Sequence, residues 1–237
     1  MNALIVYAHP EPKSFNGALK DLAVRFLTEQ GHQVQVSDLY AMNFKAVADR
    51  EDFVELSNPE FFKYQLEQIH ASQNGLFSPD IAAEMEKLRW ADFVLFQFPL
   101  WWFSVPAILK GWIDRVFAMG FVYGGGMWYD KGGLKGKKAM LSLTTGGPAH
   151  IYSKDGINGD IDQILFPIHH GMLFFSGMEV LPPFIAWSVA SASDEQRERY
   201  LEEFKQRLLT IESTEPIPFH PLSHYGENLQ LKDEYKD

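Results

Sequence analysis

Three short stretches carry the residue types that could hold a flat ligand with an anionic end. In "AHPEPKSFNG" (8–17), His9, Ser14 and Asn16 stand just before a helical pattern, where free backbone N–H groups can bind a phosphate or pyrophosphate. Ser14 and Asn16 could equally be helix caps, and His9 beside Pro10 a hydrogen-bonded loop residue. In "PLWWFSVP" (99–106) two prolines keep the chain out of regular structure, yet between them lie Trp101, Trp102 and Phe103. Loops are normally polar, so this aromatic surface suits the face of a flat aromatic ligand whose edge is met by loop backbone. In "TTGGPAHIYSKDGINGD" (144–160), Gly146 and Gly147 let the backbone approach such a ligand without a Cβ in the way, or serve a tight turn. Neither G-x-x-x-x-G-K-[ST] nor G-x-G-x-x-G occurs, which argues against a P-loop nucleotide hydrolase.

These loops need elements that bring them to one place. Continuous apolar runs at 3–7, 33–36, 93–98, 139–144 and 179–185 read as strands of a parallel sheet covered on both faces. Helical patterns fall between them at 16–29, 81–90, 107–119, within 160–175, and at 195–209. Alternating βα units imply an α/β, doubly wound, five-stranded parallel sheet in the order 2-1-3-4-5, with ligands at the carboxyl ends of the strands. All three stretches lie at those ends. Two pieces exceed such a minimal domain. Residues 41–79 are inserted after the second strand and are too aromatic, with Phe53, Phe61, Phe62 and Tyr64, to be a free linker. Residues 213–237 extend the chain beyond a domain spanning 1–212; the extension is expected to pack on the domain, with "KDEYKD" frayed at its end.

The totals narrow the classes. At 46% hydrophobic and 22% charged the 237 residues suit a globular domain, and no apolar run approaches the roughly 20 residues of a membrane-spanning helix. The start "MNALIVYAHP" lacks the basic flank and cleavage site of a signal peptide, so it reads as a first strand and a cytoplasmic location is expected. Absence of cysteine removes disulfides, thiolate metal sites and cysteine nucleophiles. A net charge of −10 argues against general nucleic-acid binding, and the basic cluster "DKGGLKGKK" fits a solvated loop.

Seven pieces, "AHPEPKSFNGALK", "SDLYAMNF", "SPDI", "FQFPL-WFSVPAILKGW", "YDKG", "LTTGG" and "YSKDGINGD", in correct order and spacing, resemble the NAD(P)H:quinone oxidoreductase family of flavodoxin-like FAD enzymes; the likeness runs to about Tyr225. The resemblance implies a homodimer with one FAD per active site, each site completed by the partner. It implies FAD contacts at His9, Phe15, Asn16 and Ala18, at Pro99, Leu100, Trp102 and Phe103, and at Thr144, Thr145, Gly146, Gly147 and Tyr152. Arg197 matches a family arginine near the adenosine diphosphate, although an exposed arginine fits equally. Phe121, Tyr123, Gly125 and Trp128 match the segment that lines the substrate face from the other subunit.

The implied chemistry is two-electron hydride transfer: a reduced nicotinamide, NAD(P)H or dihydronicotinamide riboside, donates and leaves, and a quinone then takes its place. Tyr152 and the backbone N–H groups near Gly146 and Gly147 would stabilise charge on the flavin, while Asn158 can add a hydrogen bond but cannot take up a proton. Departures from the family matter. Asn158 stands where one branch has histidine, and asparagine with a short tail marks the branch that uses dihydronicotinamide riboside. That branch holds a structural metal with two histidines and a cysteine; here His170, Phe174 and Phe219 occupy those positions, so no metal is expected. Lys63 and Gly125 replace a family glutamine and a tyrosine, which should widen the pocket. Rival readings are a one-electron FMN flavodoxin, an azo- or nitroreductase, and a flavin-bearing subunit of a membrane transporter. An apolar arc on "AILKGWIDRVFAM", Ile108, Leu109, Trp112, Ile113, Val116 and Phe117, looks wider than one sheet contact needs, which points to a homodimer.

Overall fold

A computed structural model describes residues 1–236. Five parallel strands, β1 (Asn2–Tyr7), β2 (Gln33–Asp38), β3 (Phe93–Pro99), β4 (Lys138–Thr144) and β5 (Glu179–Ala186), form one sheet in the order 2-1-3-4-5. The helices are α1 (Phe15–Glu29), α2 (Tyr64–Asn74), α3 (Pro79–Trp90), α4 (Ala107–Val116), α5 (Ile161–Ile168) and α6 (Asp194–Leu209). The flavodoxin-like arrangement expected from the alternating pattern is therefore present.

The two faces of the sheet are covered by different helices. Alternate residues of β1 and β3, such as Ile5, Phe93 and Leu95, pack with Leu19, Leu22 and Leu27 of α1 and with Phe204 and Leu208 of α6. The intervening residues, Leu4, Val6, Val94 and Phe96, pack with Met85 of α3, Trp112 of α4 and Leu165 of α5. Because both faces are dry, β3 is buried at all of its positions and reads as an unbroken apolar run. β5 is an edge strand, and so tolerates Pro182 and Pro183, which shift its register on β4 between Met140 and Ser142.

Element ends differ from expectation where one signal overrode another. α4 stops at Val116, three residues before the expected Met119. The helix expected within 160–175 is α5 followed by a π-helical stretch, His169–Phe174, after Pro167, whose missing N–H weakens the α ladder there. Of the apolar arc of α4, Leu109, Trp112, Ile113, Val116 and Phe117 are buried within their own chain and Ile108 is half-buried, so most of the arc is covered without a second copy. The width arises because the helix meets both the sheet and the insertion.

The insertion folds rather than wanders. Arg115 of α4, with 1% of its side chain exposed, donates through Nε to Asp52 Oδ1 (3.0 Å) and through Nη1 to Asp80 Oδ2 (2.7 Å) and the Lys45 carbonyl (2.8 Å). Tyr64 Oη donates to the other oxygen of Asp52 at 2.7 Å. The tail also docks. Ile217 N–H donates to the Val180 carbonyl (2.7 Å) and Leu222 N–H to Asp130 Oδ1 (2.7 Å). Within "KDEYKD", Asp233–Tyr235 form a 3-10 turn, with the Tyr235 ring stacked on His224 at 3.7 Å. Asp237 lies outside the described residues.

Candidate functional site

A cleft of about 690 Å³ opens at the carboxyl ends of the strands. It is lined by His9, Lys13, Ser14, Phe15, Asn16 and Ala18 from the β1–α1 loop and the start of α1, by Pro99, Leu100 and Trp101 after β3, by Thr144, Thr145 and Gly146 after β4, and by Val189, Ala190 and Arg197 between β5 and α6. Three loops far apart in sequence meet there because each follows a central strand of the sheet.

The first loop is held by its own hydrogen bonds. Ser14 Oγ accepts from Gly17 N–H (3.2 Å) and so caps α1, the simpler of the two readings for that residue. Gly17 is required here, since a Cβ would overlap the Pro12 carbonyl. Asn16 is no cap: it is buried, donates through Nδ2 to Thr144 Oγ1 (2.9 Å) and accepts at Oδ1 from Gln97 Nε2 (2.9 Å). His9 Nδ1 lies 3.0 Å from the Glu11 N–H and 3.1 Å from the Glu11 carbonyl, so the ring is tied back to its own loop in either tautomer. Lys13 and Arg197 bring positive charge to the same cleft as the α1 N-terminus, a setting suited to a phosphate group. Arg197 is also paired with Asp194 at 3.0 Å.

The second loop departs from expectation in a telling way. Trp101 and Ser104 exchange backbone hydrogen bonds of 3.1 and 3.0 Å, closing a two-residue turn over Trp102 (φ 50°) and Phe103 (φ 59°). Two consecutive left-handed residues are what Asn-Gly normally supplies; bulky aromatics here store strain. Of the aromatic residues in this loop, Trp101 lines the cleft, while Trp102 is 94% exposed and Phe103 half exposed. Within this chain the Trp102 and Phe103 rings therefore do not line the cleft, and their backbone lies in the loop beside it. Their N–H groups make no hydrogen bond within the described residues.

The third loop shows the same feature. The N–H groups of Gly146 and Gly147 have no partner among the described residues, while Thr145 Oγ1 donates to the Gly147 carbonyl (2.7 Å) and fixes the turn. Gly147 lets the Ile151 and Tyr152 side chains close in, since a Cβ there would lie 2.5 Å from Ile151 Cδ1 and 3.3 Å from Tyr152 Cε2. The Tyr152 ring packs near Trp187 (5.5 Å), and its hydroxyl makes no hydrogen bond among the described residues. Asn158 N–H donates to the Ile151 carbonyl (2.9 Å), folding the loop back so that Asn158 and Tyr152 share it.

The other candidates lie elsewhere. Phe121, Tyr123, Gly125 and Trp128 occupy the α4–β4 connection and do not line the cleft of their own chain. Gln65 Nε2 donates to Tyr123 Oη (3.2 Å), Gly125 sits at φ 60° with open space about it, and Trp128 borders a second, aromatic hollow. Lys63 precedes α2 and lies over Phe61. His170 stacks on Phe166 at 4.8 Å, with Phe174 and Phe219 at 5.6 and 5.1 Å. Among the described residues no group of three histidine, cysteine or carboxylate side chains could hold a metal.

Ser14 and Trp101, both singled out in the sequence, line the cleft, whereas the motif reading missed Lys13, Val189 and Ala190 as lining residues, and Gln97 beneath them. Lys13 was visible in the right loop; Val189 and Ala190 carry no chemical signal.

Relatives are consistent with this architecture. A family model described as flavodoxin-like fold matches residues 1–208. The human ribosyldihydronicotinamide dehydrogenase [quinone] is 51% identical over 225 residues, 94% of this chain and 97% of the human protein. The chain belongs to the NAD(P)H:quinone oxidoreductase family. The rat NAD(P)H dehydrogenase [quinone] 1 is 47% identical over 96% of this chain and 84% of its own length. A crystal structure from Klebsiella pneumoniae, provisionally assigned as a quinone reductase, superposes with a TM-score of 0.96 at 50% identity, covering 99% of this chain and 95% of that one. In this family the fold implies a flavin. No helix among the described residues is long and apolar enough to cross a membrane.

Proposed function

We propose that the protein reduces quinones with a reduced nicotinamide through a bound FAD, in two successive hydride transfers at one place. The observation that carries this is the cleft itself: it gathers a helix N-terminus, Lys13 and Arg197, and two of the loops at its rim carry backbone donors with no partner among the described residues. Such a site suits a planar heterocycle at one end and a diphosphate at the other. The flavin supplies the ability to accept a hydride and return it.

The chain's own residues orient and stabilise. N–H groups of Trp102, Phe103, Gly146 and Gly147 are fixed donors for ring heteroatoms, positioned before the ligand arrives. The Tyr152 hydroxyl, with no partner among the described residues, adds a donor where negative charge develops. Asn158 holds a hydrogen bond without exchanging a proton. Lys13, Arg197 and the first turn of α1 receive the phosphates, which is why FAD is favoured over a ligand with one phosphate. The α4–β4 segment with Phe121, Tyr123, Gly125 and Trp128 lies outside this cleft, so the proposed homodimer supplies the substrate wall from the partner's copy. With Asn158 and a short tail, dihydronicotinamide riboside is proposed to serve at least as well as NADH or NADPH.

Identification of the flavin released on denaturing the purified protein tests the cofactor: FAD supports the reading, FMN refutes its FAD part, and a colourless protein without quinone turnover refutes the whole. Comparing kcat/KM for the three donors with one soluble quinone tests the donor. A preference for NADH or NADPH above about tenfold, or about 1.4 kcal/mol, overturns the riboside assignment alone.

A further inference from the structure

Gln97 is the one polar residue of β3, and all seven positions of that strand are buried. It shares sheet parity with Phe93 and Leu95, which face α1 and α6. On that face Gln97 Nε2 donates to Asn16 Oδ1 and Asn16 Nδ2 donates to Thr144 Oγ1, both at 2.9 Å. All three residues are buried. A line of hydrogen bonds thus runs from β3 through α1 to β4, and its last two members, Asn16 and Thr144, line the cleft.

The direction of this line has a consequence. Thr144 Oγ1 already accepts from Asn16, so its proton must be given elsewhere. No acceptor for it occurs among the described residues, and the cleft is what Thr144 borders. At the other end Gln97 Oε1 and the Oγ of Ser142, its partner in the β3–β4 register, are both buried without hydrogen bonds. A buried polar group left unpaired is a standing cost to the fold. Three apolar residues would pin α1 to the sheet without it, so a role in the fold alone does not account for this arrangement.

We propose that Gln97 is a positioning residue for the cofactor: it fixes the amide of Asn16, which in turn makes the Thr144 hydroxyl a one-way donor into the flavin cleft. This rests on the flavin reading above. If that donor reaches the ring system, it favours the electron-rich reduced form over the oxidised one, and the relay raises the flavin midpoint potential.

The test uses flavin-loaded Gln97→Met, Thr144→Val, their double variant, and Thr144→Ser, with the midpoint potential as readout. Gln97→Met and Thr144→Val are each expected to lower it by about 30 mV, a tenfold loss of preference for the reduced form. The double variant should shift no further than Thr144→Val, and Thr144→Ser should match the wild type. Additive shifts overturn the relay. So does Thr144→Val at wild-type potential, which decides the matter even if Gln97→Met fails to fold. A shift to higher potential overturns the polarity, because it means that Thr144 donates to Asn16 and offers the cleft an acceptor. Purification of every form without flavin overturns the parent reading itself, whereas flavin-loaded variants with unchanged potential overturn the relay alone.

Discussion

The insertion clamp and the cofactor cleft are both polar, yet they treat hydrogen bonds in opposite ways. In the clamp, Arg115, Asp52, Tyr64 and Asp80 satisfy one another at 2.7 to 3.0 Å. Burial works against the Arg115 charge, but its two carboxylate partners outweigh that and hold its pKa above the ordinary value. Burial and the bond to Asp52 push Tyr64 upward as well. In the loops around the cleft, the N–H groups of Trp102, Phe103, Gly146 and Gly147 and the Tyr152 hydroxyl have no partner among the described residues, Gln97 Oε1 beneath them has none either, and two aromatics are held left-handed. Closed pairing holds structure together, whereas donors set in place and left open are a property of binding sites.

Breaking the clamp should have the largest effect. Asp52→Ala leaves the buried Arg115 guanidinium with Asp80 and the Lys45 carbonyl alone and the Tyr64 hydroxyl without its acceptor, and removing one partner of a buried pair costs about 3–5 kcal/mol. Urea unfolding should show the loss, while flavin affinity of the folded protein stays within about twofold of wild type. A cost below about 1 kcal/mol would mean that the clamp is decorative and the contrast mistaken.

Acid should find an open group outside the cleft. His169 is buried, its Nε2 is unpaired among the described residues, and burial lowers its pKa to about 4. The unfolded chain titrates near the ordinary value of about 6.5 and so binds the proton first; stability present above that pH is lost as pH falls toward 4. The full span is worth roughly 3 kcal/mol. Burial lowers His170 too, in the same direction. Melting temperature followed from pH 7 to pH 4.5 should fall in the wild type and fall less in His169→Phe. Equal slopes would show that His169 is hydrated in the folded protein.

Much of this contrast was legible in the sequence, and the reasons are specific. β3 and β4 are unbroken apolar runs, so the sheet and the placing of three loops at its carboxyl ends followed from period and composition. The α2 helix did not emerge, because "YQLEQIHASQN" has a weak apolar stripe and owes its place to Asp52, Glu67 and their partners. Asn16 looked like a cap because caps are local, whereas Gln97 and Thr144, which engage it, are 81 and 128 residues away. The left-handed turn at Trp102 and Phe103 did not emerge, because residue type is visible in a sequence and φ is not.

Within the cleft, Tyr152 separates a donor from a shelf. If its hydroxyl meets charge that develops only as hydride arrives, Tyr152→Phe should slow the reductive step by about 1–3 kcal/mol, on the order of 10- to 100-fold, with little change in flavin affinity. Rapid mixing with the nicotinamide donor measures that step directly. An unchanged rate would leave the ring against Trp187 and Gly147 as its whole contribution.

The smallest effect tests whether the strain belongs to the site or to the fold. Trp102 sits at φ 50° with almost all of its side chain exposed, so replacing it by glycine removes little packing and relieves a left-handed penalty of about 1–2 kcal/mol. Glycine loses more backbone freedom on folding, by roughly 0.5–1 kcal/mol, which returns part of the gain. Trp102→Gly should therefore stabilise the flavin-free protein by about 0.5–1 kcal/mol, a rise of a few degrees in Tm for a chain of this size. In the loaded protein the sign should turn. A turn freed to leave the left-handed region no longer holds the Trp102 and Phe103 N–H groups in place, flavin affinity falls, and the stabilisation that flavin confers falls with it. Phe103→Gly is the control, since Phe103 is only half exposed and its removal also costs contacts. If Trp102→Gly lowers stability with and without flavin, the aromatic turn is part of what holds the fold, and the cleft is built on the same plan as the clamp.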